Sequence, residues 1–92
     1  MYKEKELKEI IKVYGSKKQM IQAIEEMSEL SKELCKYVND RVIDVEHITE
    51  EMSDVQIMLN QLILIFNNQK EIKKIMNKKI QRQLERIKSK EK

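Results

Sequence analysis

The sequence of 92 residues has no proline and no tryptophan, and it contains a single glycine, Gly15, and a single cysteine, Cys35. Proline and glycine interrupt helices and build tight turns, so their scarcity favours long helices. Asn-Gly and Asp-Gly pairs, which mark β-hairpins, are also missing, and no sustained period-two alternation occurs. These absences predict an all-α protein. A lone cysteine excludes an internal disulfide scaffold and fits the reducing cytoplasm.

Long apolar runs are missing as well. The most apolar segment, residues 55–66, has nine apolar residues in twelve. A bilayer-spanning helix needs about 20 such residues, so this segment predicts a buried helix and no membrane partner. Residues 1–12 are charged throughout and lack the apolar core of a signal peptide. Together these features predict a cytoplasmic protein.

The net charge of +3 is unevenly distributed along the chain. Residues 1–69 carry nine Lys or Arg and thirteen Asp or Glu, whereas residues 70–92 carry ten Lys or Arg and three Glu. An acidic body followed by a basic tail suits a polyanionic ligand that is bound through a metal ion. The alternative explanation is a lysine-rich helix that is simply solvated.

Apolar residues at helical spacing predict four helices. The first covers about residues 3–14 and ends at Gly15, which we expect in the left-handed conformation. The second extends to about residue 38, with Ser16 as its N-cap and Gln19 completing a capping box. The predicted core stripe of this second helix consists of Met20, Ile24, Met27, Leu34 and Val38.

The third and fourth helices follow a break at residues 39–41. Asp44 is the predicted N-cap of the third helix, whose 55–66 segment is apolar over most of its circumference. Three other short helices cannot cover that segment alone, so we expect an obligate homo-oligomer; a monomeric four-helix bundle is the alternative. After a turn at residues 67–68, a basic helix spans about residues 70–90, and its last residues are expected to fray.

Two short acidic motifs carry the chemistry. Glu25-Glu26-x-x-Glu29 lies on the second predicted helix, where Glu33 shares the same face, and Glu51-x-x-Asp54 lies on the third. Residues three apart are neighbours on a helix, and a short connection makes the two helices antiparallel neighbours. Four carboxylates gathered in this way repel one another unless a cation lies between them. Such oxygen ligands suit Mg²⁺ or Mn²⁺, and solvated acidic faces are the alternative.

Taken together, EEMSEL at residues 25–30 and EEMSDVQIMLNQL at residues 50–62 resemble the MazG-like branch of the all-α NTP pyrophosphatases. The resemblance covers roughly residues 15–88, and the chain looks most like the short phage- and Firmicute-type members. It implies a four-helix MazG-like bundle completed by homo-oligomerisation, with residues 1–92 forming a single domain. It also implies dimers or tetramers that hydrolyse nucleoside triphosphates to the monophosphate and pyrophosphate with Mg²⁺, or with Mn²⁺ in its place.

The resemblance assigns roles to individual residues. The four metal-binding acids of the family are matched here by Glu26, Glu29, Glu51 and Asp54. Glu25 and Glu26 are the predicted catalytic residues, and Glu25 would orient the attacking water or a metal ligand. The basic residues expected near the phosphates are Lys79, Arg82 and Arg86. No aromatic or Asn signature of a base pocket is present, so the resemblance leaves the preferred base and sugar open.

Other residues with chemical potential receive simpler interpretations. We expect Cys35 to be a small buried residue and the three tyrosines to pack in the core or at its rim. A lone histidine does not complete a zinc site, so His47 is expected to be structural or exposed.

Two other classes of function compete with hydrolysis. A non-enzymatic helical dimerisation or regulatory protein would carry the acids as mere surface and would ignore divalent metal. A nucleic-acid binder would use the basic tail, and its affinity would depend strongly on salt. Against this second class, residues 70–92 contain no aromatic residue for stacking on bases and no groove-reading motif.

Overall fold

The computed structural model describes residues 1–39 and 44–91, and these residues are almost entirely helical. Four helices follow one another along the chain: α1 (Glu4–Tyr14), α2 (Ser16–Val38), α3 (Val45–Phe66) and α4 (Gln69–Glu91). The described ranges contain no strand, so the all-α class is confirmed. Of the predicted break, Asn39 follows the end of α2, whereas Asp40 and Arg41 lie outside the described residues.

A single residue, Gly15, separates α1 from α2. Its φ of 89° requires glycine, and its N–H donates a hydrogen bond to the Ile11 carbonyl at 2.8 Å. The prediction that Gly15 ends α1 is therefore right, but its ψ of 148° is extended rather than left-handed helical. The predicted N-cap Ser16 is wrong, because α2 already begins at Ser16 and Gly15 occupies the capping position without a side-chain bond.

The ends of α3 agree better with the sequence. The Asp44 carboxylate accepts a hydrogen bond from the backbone N–H of His47 at 3.0 Å, which confirms the predicted cap. At the other end, Asn67 adopts the left-handed conformation, with φ 50° and ψ 48°, and turns the chain into α4. Helix α4 is helical as far as Glu91, and the predicted fraying of its last residues stays a prediction.

Helices α2 and α3 form the main antiparallel pair, and α1 packs across both. The buried apolar core is thin and consists of Leu7, Ala23, Val55 and Met58. Three polar side chains are buried with it: Gln19, Glu33 and Gln61. A core of this size stabilises a chain only modestly, since the hydrophobic contribution scales with the apolar area removed from water.

The predicted core stripe of α2 is largely wrong for a single chain. Ile24, Leu34 and Val38 are 62%, 46% and 76% exposed. The buried positions of α2 are instead Gln19, Ala23 and Glu33, which lie on a neighbouring and more polar side of the helix. Helix α2 therefore has two adjacent faces, a mixed one against α3 and an apolar one that is largely exposed in the described part of the chain.

Helix α4 makes no extended packing contact with the other three helices. Its apolar residues are therefore about half exposed, as Ile80 at 55% and Leu84 at 50% illustrate. The Cα radius of gyration is 16.7 Å, against about 12 Å for a compact domain of this length. One chain thus does not close the four-helix bundle by itself. Within the described ranges, no helix combines the length and apolar character that crossing a membrane requires.

Candidate metal centre

The α2–α3 pair brings the two acidic motifs together. One carboxylate oxygen from each of Glu26, Glu51 and Asp54 lies within 4.8 Å of the others. Glu26 and Glu51 are half-buried, whereas Asp54 is exposed, so the cluster lies at the edge of the interface and opens to solvent. Carboxylates this close repel one another in the absence of a cation.

Neighbouring side chains hold the two half-buried carboxylates. The Gln22 amide donates a hydrogen bond from Nε2 to Glu26 Oε1 at 2.8 Å. His47 Nε2 lies 3.2 Å from Glu51 Oε1, while Glu51 Oε2 is buried and has no hydrogen-bond partner among the residues that the structure describes. A buried oxygen without a partner is costly, and a cation would supply the missing interaction. The donor set of Glu26, Glu51 and Asp54 therefore fits a hard divalent cation.

The other two acids of the first motif lie outside this convergence. Glu25 and Glu29 are exposed on α2, and neither belongs to the group whose oxygens approach one another. A step of three residues rotates a side chain by about 60° around a helix, which carries Glu29 from the α3-facing side of Glu26 toward solvent. The predicted fourth ligand, Glu29, thus lies at the border of the cluster, and its role stays a prediction.

The basic residues expected near the phosphates belong to α4. Lys79, Arg82 and Arg86 lie together on one side of that helix, around a shallow surface depression. Among the residues that the structure describes, no ion pair links α4 to α2 or α3. A single chain therefore does not bring these three cations to the carboxylate cluster, and their contact with phosphates also stays a prediction.

Sequence reasoning missed a polar chain that ends at the cluster. Glu33 is only 8% exposed, accepts a hydrogen bond from Lys36 Nζ at 3.1 Å, and lies 3.2 Å from His47 Nδ1. The Lys36 hydrogen bond, with the charges of His47 and Lys36, keeps the pKa of Glu33 below its ordinary value although burial opposes this. In the sequence, the only signal was that Glu33 shares a face with Glu26.

Two simpler expectations were wrong. Cys35 is exposed rather than buried. Tyr2 and Tyr14 are 79% and 55% exposed, and the Tyr14 ring has the Lys18 ammonium 5.3 Å from its centre. Both errors follow from the exposed apolar side of α2 and from the thin core, which leave few interior positions for large side chains.

No protein-family model matches this chain, and neither a curated protein nor a solved structure matches it. The resemblance to the MazG-like branch therefore stays a prediction from the two motifs.

Proposed function

We propose that this chain is a Mg²⁺-dependent nucleoside triphosphate pyrophosphohydrolase, which converts a ribo- or deoxynucleoside triphosphate to the monophosphate and pyrophosphate. The observation that carries the proposal is that carboxylate oxygens of Glu26, Glu51 and Asp54, from two helices, lie within 4.8 Å of one another. Either motif alone is a common surface pattern. Two motifs that meet at one point, with the spacing of a pyrophosphatase family, are far less common.

The roles of the residues follow from their placement. Glu26, Glu51 and Asp54 would hold the cation, and Mn²⁺ would serve in place of Mg²⁺. Glu29, three residues along α2 from Glu26, would be the fourth ligand that the resemblance implies. When bound there, the ion supplies positive charge that neutralises phosphate oxygens and makes water a better nucleophile. Glu25, exposed next to Glu26, would orient the water that attacks the α-phosphorus as pyrophosphate leaves.

We also propose a cytoplasmic homodimer or tetramer as the working form. The uncovered apolar side of α2, the exposed Leu59 on α3 and the stripe of α4 are surfaces that a second copy would bury. Because α4 makes no extended contact with α2 or α3 of its own chain, its Lys79, Arg82 and Arg86 would reach the phosphates of a neighbouring copy's site.

The direct test is a panel of ribo- and deoxynucleoside triphosphates incubated with Mg²⁺ in ¹⁸O-labelled water. We expect monophosphate and pyrophosphate as the first products, with the label in the monophosphate, because water attacks the α-phosphorus. Asp54→Asn should abolish the reaction, whereas Glu50→Gln, which removes an equal charge from the same helix, should not. Orthophosphate as the first product, or no Mg²⁺-dependent turnover of any nucleotide, would contradict the proposal.

A second candidate function is a non-enzymatic helical interaction protein. The specific observation in its favour is α4, whose basic and apolar sides have no extended packing contact with the other helices in the described part of the chain. In that case the carboxylate cluster would be a surface feature, and divalent metal would change neither the stability nor the binding of a partner.

A further inference from the structure

A continuous series of polar contacts, made by Lys36, Glu33 and His47, leads from α2 to the carboxylate cluster. None of these three residues belongs to either motif. Lys36 Nζ is 3.1 Å from Glu33 Oε1, and Glu33 Oε2 is 3.2 Å from His47 Nδ1. The other ring nitrogen of His47 is 3.2 Å from Glu51 Oε1. His47 therefore touches both carboxylates with opposite edges of one ring and connects the buried Glu33 to a cluster residue.

The three side chains at the centre of this series of polar contacts differ in burial. The side chains of Glu33 and Glu51 are 10% and 13% exposed, whereas that of His47 is 44% exposed. The His47 backbone is fixed as well, because its N–H donates to the Asp44 cap at the start of α3. The ring is thus anchored by its own backbone and by Glu33, which leaves its Nε2 edge available to Glu51.

We infer that His47, held by Glu33, is a positioning residue for the metal centre. His47 Nε2 lies against Oε1 of Glu51, whereas Oε2 is buried and has no hydrogen-bond partner among residues 1–39 and 44–91, so Oε2 is the atom that we assign to a cation. Groups behind a metal ligand commonly fix the ligand's orientation, and removing them typically weakens metal binding about 10–100-fold. The inference rests on the proposed metal centre and names two residues that neither motif contains.

A purely structural clasp between α2 and α3 is the competing explanation, and it predicts a different result. A clasp would affect the stability of the metal-free fold but not the affinity of the folded protein for metal. A positioning role requires that the affinity itself falls, and that Glu33 acts only through His47.

The experiment titrates Mn²⁺ into the full chain and follows binding by calorimetry and by electron paramagnetic resonance of the free ion. The variants are His47→Ala, Glu33→Gln and the double variant, with Glu50→Gln as the charge-matched control. We expect His47→Ala to weaken Mn²⁺ binding about tenfold and Glu33→Gln to weaken it by a smaller factor. In the double variant, Glu33→Gln should add nothing to the effect of His47→Ala.

Rescue with imidazole separates positioning from mere folding. The His47 ring is half-exposed, so free imidazole can enter the space left by His47→Ala and should restore part of the Mn²⁺ affinity. Glu51→Gln, which removes the ligand itself, should show no such recovery. If His47→Ala does not fold by circular dichroism, His47→Gln keeps a polar side chain at the site and should show the same loss of affinity.

The outcomes distinguish failure of the positioning role of His47 from failure of the metal centre itself. If Glu51→Gln loses Mn²⁺ while His47→Ala and Glu33→Gln bind it like the unmodified chain, the positioning role is wrong and the metal centre stands. If the unmodified chain itself binds no Mn²⁺ at millimolar concentration, the proposed metal centre is wrong, and the positioning role falls with it.

Discussion

Gln22 donates a hydrogen bond to Glu26 across 2.8 Å, one helical turn along α2. The bond engages Oε1 of Glu26, and Oε1 of Glu51 likewise has a neighbouring side chain, His47, 3.2 Å away. Both half-buried members of the cluster therefore have a contact that orients them before any cation arrives, whereas Asp54 is exposed. Arrangements fixed in this way reduce the ordering cost of binding.

This arrangement leads to a prediction for Gln22. Gln22→Glu would place a like charge one turn from Glu26, and such pairs destabilise a helix by about 0.5 kcal/mol. Mg²⁺ should offset that repulsion, so the variant should gain more thermal stability from Mg²⁺ than the unmodified chain does. Differential scanning calorimetry with and without Mg²⁺ measures this gain. An equal gain in both proteins would show that Gln22 and the cluster are independent.

The carboxylate cluster predicts a characteristic pair of effects for Asp54→Asn. The substitution removes one ligand and relieves repulsion, so the metal-free fold should be as stable as before or slightly more so. The stabilisation by Mg²⁺, about 2.7 kcal/mol at 100 times Kd, should largely disappear. Thermal melts at increasing Mg²⁺ provide the measurement, and Glu85→Gln on α4 is the control that should show neither effect. An unchanged Mg²⁺ shift in Asp54→Asn would contradict the site.

Substitutions at two adjacent residues of α3 should separate an effect on oligomerisation from an effect on folding stability. Leu59 is 41% exposed within one chain, whereas Met58 is 5% exposed. Leu59→Glu should dissociate the proposed oligomer and leave a helical monomer, because it would place a charge in the proposed interface between copies. Met58→Ala should instead destabilise the fold, by about 2–5 kcal/mol. Light scattering and urea unfolding measure the two effects. A stable monomer of the unmodified chain at micromolar concentration would contradict the assembly.

The lowered pKa of Glu33 predicts the pH dependence of stability. The ordinary pKa of a glutamate is 4.5, and in the folded protein the pKa of Glu33 is lower because the Lys36 hydrogen bond and the charge of His47 favour the charged form. Below pH 4.5 the unfolded chain therefore binds more protons, so the stabilisation is fully present above this pH and is lost as the pH falls through the folded pKa. Urea unfolding across this range should show the loss in the unmodified chain and a flatter profile in Glu33→Gln.

The sequence predicted the elements of this fold better than their packing. Asp44 was recognisable as a cap because its effect is local and reaches only three residues along the chain. The core-facing side of α2 was not recognisable, because the apolar residues Ile24 and Leu34 mark a stripe without saying which helix covers it. Apolar periodicity identifies the most hydrophobic side of a helix and predicts that this side is buried. In α2 the side that packs against α3 is instead the more polar one.

The same limit applies to the site. The two motifs predicted Glu26, Glu51 and Asp54 together, because their spacing and the antiparallel pairing were enough to bring them level. The contact between Glu33 and His47 depends on the register of α2 against α3, which no local pattern contains. Whether Glu29 completes the set depends on a rotation of about 60° around α2, which is finer than motif spacing resolves.

The polar side of α2 has one further consequence, for the alignment of the two long helices. If α2 slipped along α3 by one turn, about 5.4 Å, the buried Glu33 would lose His47 and Glu26 would leave Asp54 in the same movement. An apolar interface would tolerate such a slip, since one leucine can replace another. Here a misaligned pair of helices would leave the charge of Glu33 buried without a partner. The same contacts that would hold an ion therefore also favour a single alignment of α2 against α3.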